Sequence, residues 1–350
     1  MKYQSLTIEN FRGIMKLDIN DLKRVNLFVG RNNCGKTTVL EAFFLLSGMS
    51  NPQLSVNIHN FRDLMLASDE GFIYMFKDLN VEYPIVFKGQ LDYGKRELMM
   101  TPLYDDRPAH DHQKKSLYQQ EHYAASTNVV RLIEGIKLDC RNHKNKSFHG
   151  QMSLKENKLS MPESYKEDLR CAYLNPKTIM AQIDKRMEGL LVQKRLDVVI
   201  SVLQEIEPKI ADVRMGAGGM IYVDAGAEKL MPVNVMGDGM RRILAFLAAL
   251  ADMKNGVLLI DEIENGLHYS SIKIAWKAMV AACKEYNVQL IATTHSYECI
   301  EALSTAYAES EPEGDDIRLY RLDKNGERHQ AFSMSAQVLK TGLEKEFEVR

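Results

Sequence analysis

The stretch Gly30-Arg31-Asn32-Asn33-Cys34-Gly35-Lys36-Thr37-Thr38 constrains this chain more than any other. It satisfies G-x-x-x-x-G-K-[ST], the pattern of a phosphate-binding loop. Gly30 and Gly35 let the backbone curl with its N–H groups pointing inward, a nest for anions. Lys36 reaches β- and γ-phosphates as a point charge. Thr37 supplies a hydroxyl for Mg²⁺. The helix that starts at Lys36 adds its positive dipole end to the same phosphates. Residues 25–29 are an apolar-rich run entering the loop, and residues 38–46 leave it as an apolar helix stopped near Gly48. Strand, glycine loop, helix is the context that separates this motif from a chance turn before an apolar helix. Arg31 aside, every residue from Gly30 to Thr38 is a candidate nucleotide contact: Gly30, Asn32, Asn33, Cys34, Gly35, Lys36, Thr37 and Thr38.

The chain's 350 residues suffice for one large domain or two smaller ones. Its 45% hydrophobic and 26% charged content is ordinary globular composition, so a core needs no staples. A net charge of −2 gives no global pull toward nucleic acid or anionic membrane, which leaves only a local patch to provide one. The five cysteines are odd in number and form no C-x-x-C pair, which argues against a disulfide framework or structural zinc. Cys34, beside Lys36 and a helix start, is placed for a lowered thiol pKa, although a tolerated small residue is the simpler reading. There is no signal-peptide core and no run near the ~18 apolar residues of a membrane span. The expectation is a soluble cytoplasmic protein without a membrane partner of its own.

In chain order, residues 3–9 alternate as a strand, with Tyr3, Ser5, Thr7 and Glu9 on one face and Gln4, Leu6 and Ile8 on the other. Asn10-Phe11-Arg12-Gly13 turns into a second strand through Met15, Leu17 and Ile19, so two paired strands precede the nucleotide strand. Residues 72–76, 81–87, 89–104 and 128–151 read as strands. Residues 105–122 are a polar loop in which His110 and His112 lack the companions of a metal site. Residues 160–207 read largely as helix ended by Pro208, locally basic at Lys185, Arg186, Lys194 and Arg195. Such charges either track a nucleic-acid backbone or form a solvated helix face. Short strands are expected at 220–223 and 233–235, an apolar helix over 243–250, a helix over 270–286, and a closing hairpin across Lys324-Asn325-Gly326.

Gly256-Val257-Leu258-Leu259-Ile260-Asp261-Glu262 is a buried strand ending in two acids. Set beside a phosphate loop, Asp261 would hold Mg²⁺ with Thr37, and Glu262 would be the general base for an attacking water. His295, after the next apolar strand, is placed to face a γ-phosphate from the side. A core or capping histidine is the alternative.

The order of these motifs resembles the ABC-type ATPase heads, among them the SMC and RecF proteins and the overcoming-lysogenization-defect (OLD) nucleases. It is most similar to the OLD-like and RecF-like bacterial AAA ATPases. The residues that carry the resemblance are Ile8-Glu9-Asn10-Phe11-Arg12-Gly13, the loop from Gly30 to Thr37, Met236-Gly237-Asp238-Gly239-Met240-Arg241-Arg242, Ile260-Asp261-Glu262-Ile263-Glu264-Asn265-Gly266-Leu267-His268, and Thr293-Thr294-His295-Ser296. Coverage is good over residues 1–50 and 230–300 and poor from about 60 to 200.

The resemblance implies ATP hydrolysis by a head-to-head dimer with nucleotide between two subunits. Gly237, Asp238 and Gly239 would be the signature contacting the partner's ATP. Residues 264–268 would communicate across the interface, and Arg12 would approach the phosphates. Where these heads carry Ser-Gly-Gly, this chain has Gly237-Asp238-Gly239, so trans contacts would rely on backbone N–H groups. Gln53, His59 and Asn60 all stand where the glutamine linking the lobes would be sought, and none is assigned. The roughly 200 residues between Thr37 and Gly237 lack sustained heptads, so no long arm is expected. The 55 residues after His295 are too few for the nuclease domain of OLD proteins.

The expected architecture is therefore an α/β P-loop NTPase, an ABC-type head with a mixed sheet flanked by helices. Its parts would be 1–60 and 211–335 as the head, 61–210 as a compact insert and 336–350 as a tail. The expected function is Mg²⁺-dependent ATP hydrolysis in a homodimer or higher oligomer whose conformational change drives or gates a partner, with antiphage defence as an expected setting. The alternatives are a nucleotide-gated scaffold for a separate nuclease or toxin effector, and a RecF-like accessory that binds DNA or RNA. No residue pattern separates ATP from GTP.

Overall fold

The computed structural model describes residues 2–104, 133–155, 158–161, 165–312 and 314–345. The polar stretch around His110 and His112 lies outside them. Two sheets sandwich one helix. Strands β1 (Tyr3–Phe11) and β2 (Ile14–Asn20) form a hairpin, and β3 (Val25–Val29) leads into the glycine loop and α1 (Lys36–Ser47). After α2 (Gln53–Asn60) the chain builds β4 (Ile85–Leu91), β5 (Gly94–Tyr104), β6 (Ile133–Arg141), β7 (Ser147–Ser153) and β8 (Lys158–Ser160). These join the hairpin in an antiparallel sheet of order β2-β1-β4-β5-β6-β7-β8.

The remaining strands and helices follow. They are β9 (Cys171–Leu174), α3 (Ile183–Val192), α4 (Leu196–Ile206), β10 (Asp212–Met215), β11 (Ile221–Asp224), β12 (Met231–Pro232) and α5 (Asp238–Asp252). Then come β13 (Val257–Ile260), α6 (Tyr269–Glu285), β14 (Gln289–Thr293), α7 (Tyr297–Glu309), β15 (Ile317–Asn325), β16 (Arg328–Ser335) and α8 (Ala336–Glu344). The second large sheet has the order β16-β15-β3-β14-β13-β9. Only its β15–β16 pair is antiparallel.

Every residue of β3, β13 and β14 is buried. That explains their unbroken apolar runs, since a parallel sheet is covered on both faces. Alternate side chains serve different cores. Leu258 and Ile260 join the cluster under α5, α6 and α7, whereas Val257 and Leu259 join the one that holds α1. Helix α1 lies between the two sheets and is apolar on nearly all sides, as a fully enclosed helix requires.

Several expectations need correction. Tyr3 does not share a face with Ser5: a bulge between them shifts the phase of β1. Tyr3 is thereby buried, its ring 5.1 Å from Phe43 and its hydroxyl 3.0 Å from Ser47 Oγ. Residues 69–75 form a 3₁₀ turn that buries Phe72 and Met75, not a strand. The same holds for residues 233–235. The span 160–207 is not uniformly helical, because β9 pairs in parallel with β13. Within 61–210, β4 to β8 extend the N-terminal sheet and β9 supplies the edge of the parallel one. Of the expected tail, residues 336–344 form α8, docked through the buried Leu339.

Candidate functional site

All the parallel strands aim their carboxyl ends at one side, where open α/β sheets place ligands. At the end of β3, Gly30 has φ 139°, Asn33 61° and Gly35 99°. A side chain on Gly30 would stand 2.4 Å from the Leu322 carbonyl oxygen of β15, so glycine is required there by contact as well as by conformation. Lys36 is only 5% exposed. Its ammonium donates to the carbonyls of Gly30 at 2.7 Å and Arg31 at 3.0 Å, across the mouth of the loop. Burial lowers the pKa of that ammonium. Arg31, Asn32 and Asn33 are exposed, and Thr38 is buried. Cys34 departs from expectation: its thiol is buried, and that burial raises its pKa more than the neighbouring Lys36 lowers it.

At the end of β13, Asp261 collects three hydroxyl groups. Thr37 Oγ1 donates to its Oδ1 at 3.3 Å and Thr293 Oγ1 to the same oxygen at 2.5 Å. Tyr173 donates to Oδ2 at 3.2 Å. Burial first, and then the Asp261 carboxylate, hold the Tyr173 phenol well above its usual pKa, so it remains a donor. A hydroxyl from the loop and a carboxylate from the strand are hard oxygen donors suited to Mg²⁺.

Glu262 has a left-handed backbone, φ 50°, a conformation a non-glycine residue adopts at a cost. Thr293 Oγ1 stabilises it by accepting the Glu262 N–H at 2.9 Å. One buried threonine thus fixes both acids. The Glu262 carboxylate accepts from the Asn265 amide at 3.3 Å. Glu264 Oε1 accepts the His295 N–H at 2.7 Å, fixing the backbone that carries the histidine beside the acids.

Arg12 lies against the loop's helix, not in the loop. Its Nε stands 2.7 Å from Glu41 Oε2, and Glu41 is fully buried one turn along α1. Arg62 grips the same carboxylate at 2.6 Å and also donates to Thr38 Oγ1 at 3.3 Å. Gly237, φ 91°, precedes α5 with open space around it, and Asp238 is 75% exposed and paired with Arg241 at 3.1 Å. A side chain on Gly239 would meet the Gly266 carbonyl oxygen at 3.5 Å, so this loop packs on the loop that follows the acids. His59 is buried with Nδ1 2.6 Å from the Ser55 carbonyl.

The basic residues near 185–195 are partly consumed by ion pairs, Arg186 with Asp252 and Arg195 with Glu285. Sequence reasoning overlooked Tyr173, Glu41 and Arg62 as parts of the site, and it named Thr293 within a motif without giving it a role. Glu41 did leave a signal, a charge inside an apolar helix that demands a partner. Tyr173 left none, because its strand was read as helix.

Comparison with known proteins shows what the chain is similar to. A Helicobacter pylori protein described as an ATP/GTP phosphatase is 23% identical over 337 residues, covering 88% of this chain and 89% of its own length. The RecF DNA replication and repair protein of Lactobacillus acidophilus is 45% identical over 47 residues, only 13% of this chain and 12% of that one. The solved SMC head bound to the C-winged helix domain of ScpA superposes with a TM-score of 0.53 at 10% identity, covering 96% of this chain and 99% of that one. The fold is therefore that of an ABC-type ATPase head. Residues 142–301 match an AAA domain family whose description also names the AbiEii toxin and a type IV TA system. Residues 1–188 match the family described as AAA ATPase domain, more than half of the length, and the chain belongs to that family.

Proposed function

We propose that this chain is the catalytic head of a Mg²⁺-dependent ATPase that works as a head-to-head dimer and drives or gates a partner. One observation carries the reading: Thr37 of the glycine loop and Asp261 of the neighbouring strand stand 3.3 Å apart, with Lys36 beside them. Lys36 and the loop N–H groups would hold the phosphates. Thr37 and Asp261 would hold Mg²⁺, which supplies neutralisation of charge developing on the transferred phosphoryl group. Glu262 would take the proton of the attacking water, and His295 would face the γ-phosphate. Arg12 would act through Glu41 and α1 on the loop. The exposure of Gly237 and Asp238, at the start of α5, supports a contact made across a dimer.

The test is phosphate release from ATP and from GTP. Wild-type protein should hydrolyse ATP only with Mg²⁺. Lys36→Ala should weaken nucleotide binding at least about tenfold, the worth of a charge-assisted hydrogen bond. Glu262→Gln should bind ATP and lose at least about 10²-fold in turnover. Full turnover in Glu262→Gln would remove the assigned base.

A second reading is a slow, nucleotide-gated scaffold for a separate effector, as in the OLD-like and toxin-linked members of the resemblance. The match to the family whose description names a type IV TA system favours it. It predicts tight ATP binding, slow turnover and a co-purifying partner. The RecF-like reading, with nucleic acid as partner, predicts salt-dependent binding, and the ion pairs of Arg186 and Arg195 weigh against it.

A further inference from the structure

Resting on that site, we propose that Tyr173 is a positioning residue that sets the Mg²⁺ affinity of Asp261. A carboxylate turns freely about its last bond unless both oxygens are held. Here Oδ1 is held by Thr37 and Thr293, and Oδ2 accepts the Tyr173 hydroxyl at 3.2 Å. The Tyr173 hydrogen bond fixes the plane of the group and so aims Oδ1 at the Thr37 hydroxyl.

The hydroxyl is itself held firmly. Tyr173 is 7% exposed, with its ring 5.7 Å from Phe44 on α1 and edge-on at 5.0 Å to Phe61 beyond α2. The Asp261 N–H donates to the Leu174 carbonyl at 2.8 Å, so β9 is tied to the acid through backbone as well. Phe61 adjoins Arg62, which grips Glu41 and Thr38 on the loop's helix. Tyr173 therefore links the acid to two other supports of the glycine loop. Loss of a hydrogen bond that orients a ligating group costs about 10–100-fold in metal affinity. The phosphate contacts proposed for the loop come from Lys36 and backbone N–H groups, not from Tyr173, so metal-free nucleotide binding should be spared.

The experiment measures the affinity of a fluorescent methylanthraniloyl-ATP in EDTA and in Mg²⁺, for wild type and Tyr173→Phe. The ring is kept and only the hydroxyl is lost. The predicted result is unchanged affinity in EDTA, a Mg²⁺-dependent gain smaller by about tenfold or more, and a higher Mg²⁺ midpoint for hydrolysis. An equal gain in both proteins overturns the role of Tyr173 and leaves the nucleotide site standing. Wild-type protein that binds no nucleotide, or shows no gain with Mg²⁺, overturns the site and the inference with it. Should Tyr173→Phe fail to fold, Phe61→Leu keeps the hydroxyl but removes the edge contact that steadies it. The same loss is then expected at smaller amplitude, and an unchanged gain overturns the proposal.

Discussion

Single side chains in this molecule do two things at once, and His59 shows the cost. It is buried with one ring nitrogen bonded to a helical carbonyl, and burial lowers its pKa from 6.5 to about 4, Arg12 and Arg62 adding to the effect. The unfolded chain then binds more protons than the folded one between these values. Stability should be fully present above pH 6.5 and fall as the pH drops toward 4, by at most about 3 kcal/mol. Thermal melts across that window should show the loss, and His59→Phe should flatten it. An identical acid slope in the variant would mean that His59 is not buried as a neutral group. The residues that formed the motifs were legible because their chemistry is local: glycines for a curl, a lysine for phosphate, acids after an apolar strand. Tyr173 and the role of Thr293 were not, because each acts through a partner more than 30 residues away in sequence, Asp261.

At the scale of elements, α1 is the part on which the rest bears. Its buried Glu41 would be untenable alone, but Arg12 from the β1–β2 turn and Arg62 from beyond α2 neutralise it. Glu41→Ala should lose about 3–5 kcal/mol, because it leaves the largely buried Arg12 without its counter-ion. Glu41→Leu combined with Arg12→Met should recover much of that loss. Denaturant melts of the two variants decide it, and a double variant weaker than the single would contradict the account. The elements differed in how readable they were for a physical reason. β3, β13 and β14 are enclosed on both faces and read as plain apolar runs, whereas the four residues of β9 become a strand only because β13 offers them a parallel partner. Local preference in so short a run is overridden by pairing.

For the whole molecule, the two cores meet across the parallel sheet, with the candidate site on the edge they share. The order of motifs made the head recognisable. The division of the chain between the two sheets was hidden, since β4 to β8 join the sheet of the N-terminal hairpin and β9 joins the parallel strands. The Gly237-Asp238-Gly239 stretch, which we propose faces a partner's nucleotide, carries Asp238 where a neutral residue would suit phosphates better. Asp238→Ser should therefore raise the fraction of nucleotide-bound dimer, measured by sedimentation, and a lower fraction would place the turn away from the partner's nucleotide. The most direct test of the central claim is light scattering of Glu262→Gln with and without Mg-ATP. The account predicts that Mg-ATP doubles the mass of the monomer; a mass indifferent to nucleotide, whether monomer or fixed oligomer, would contradict it.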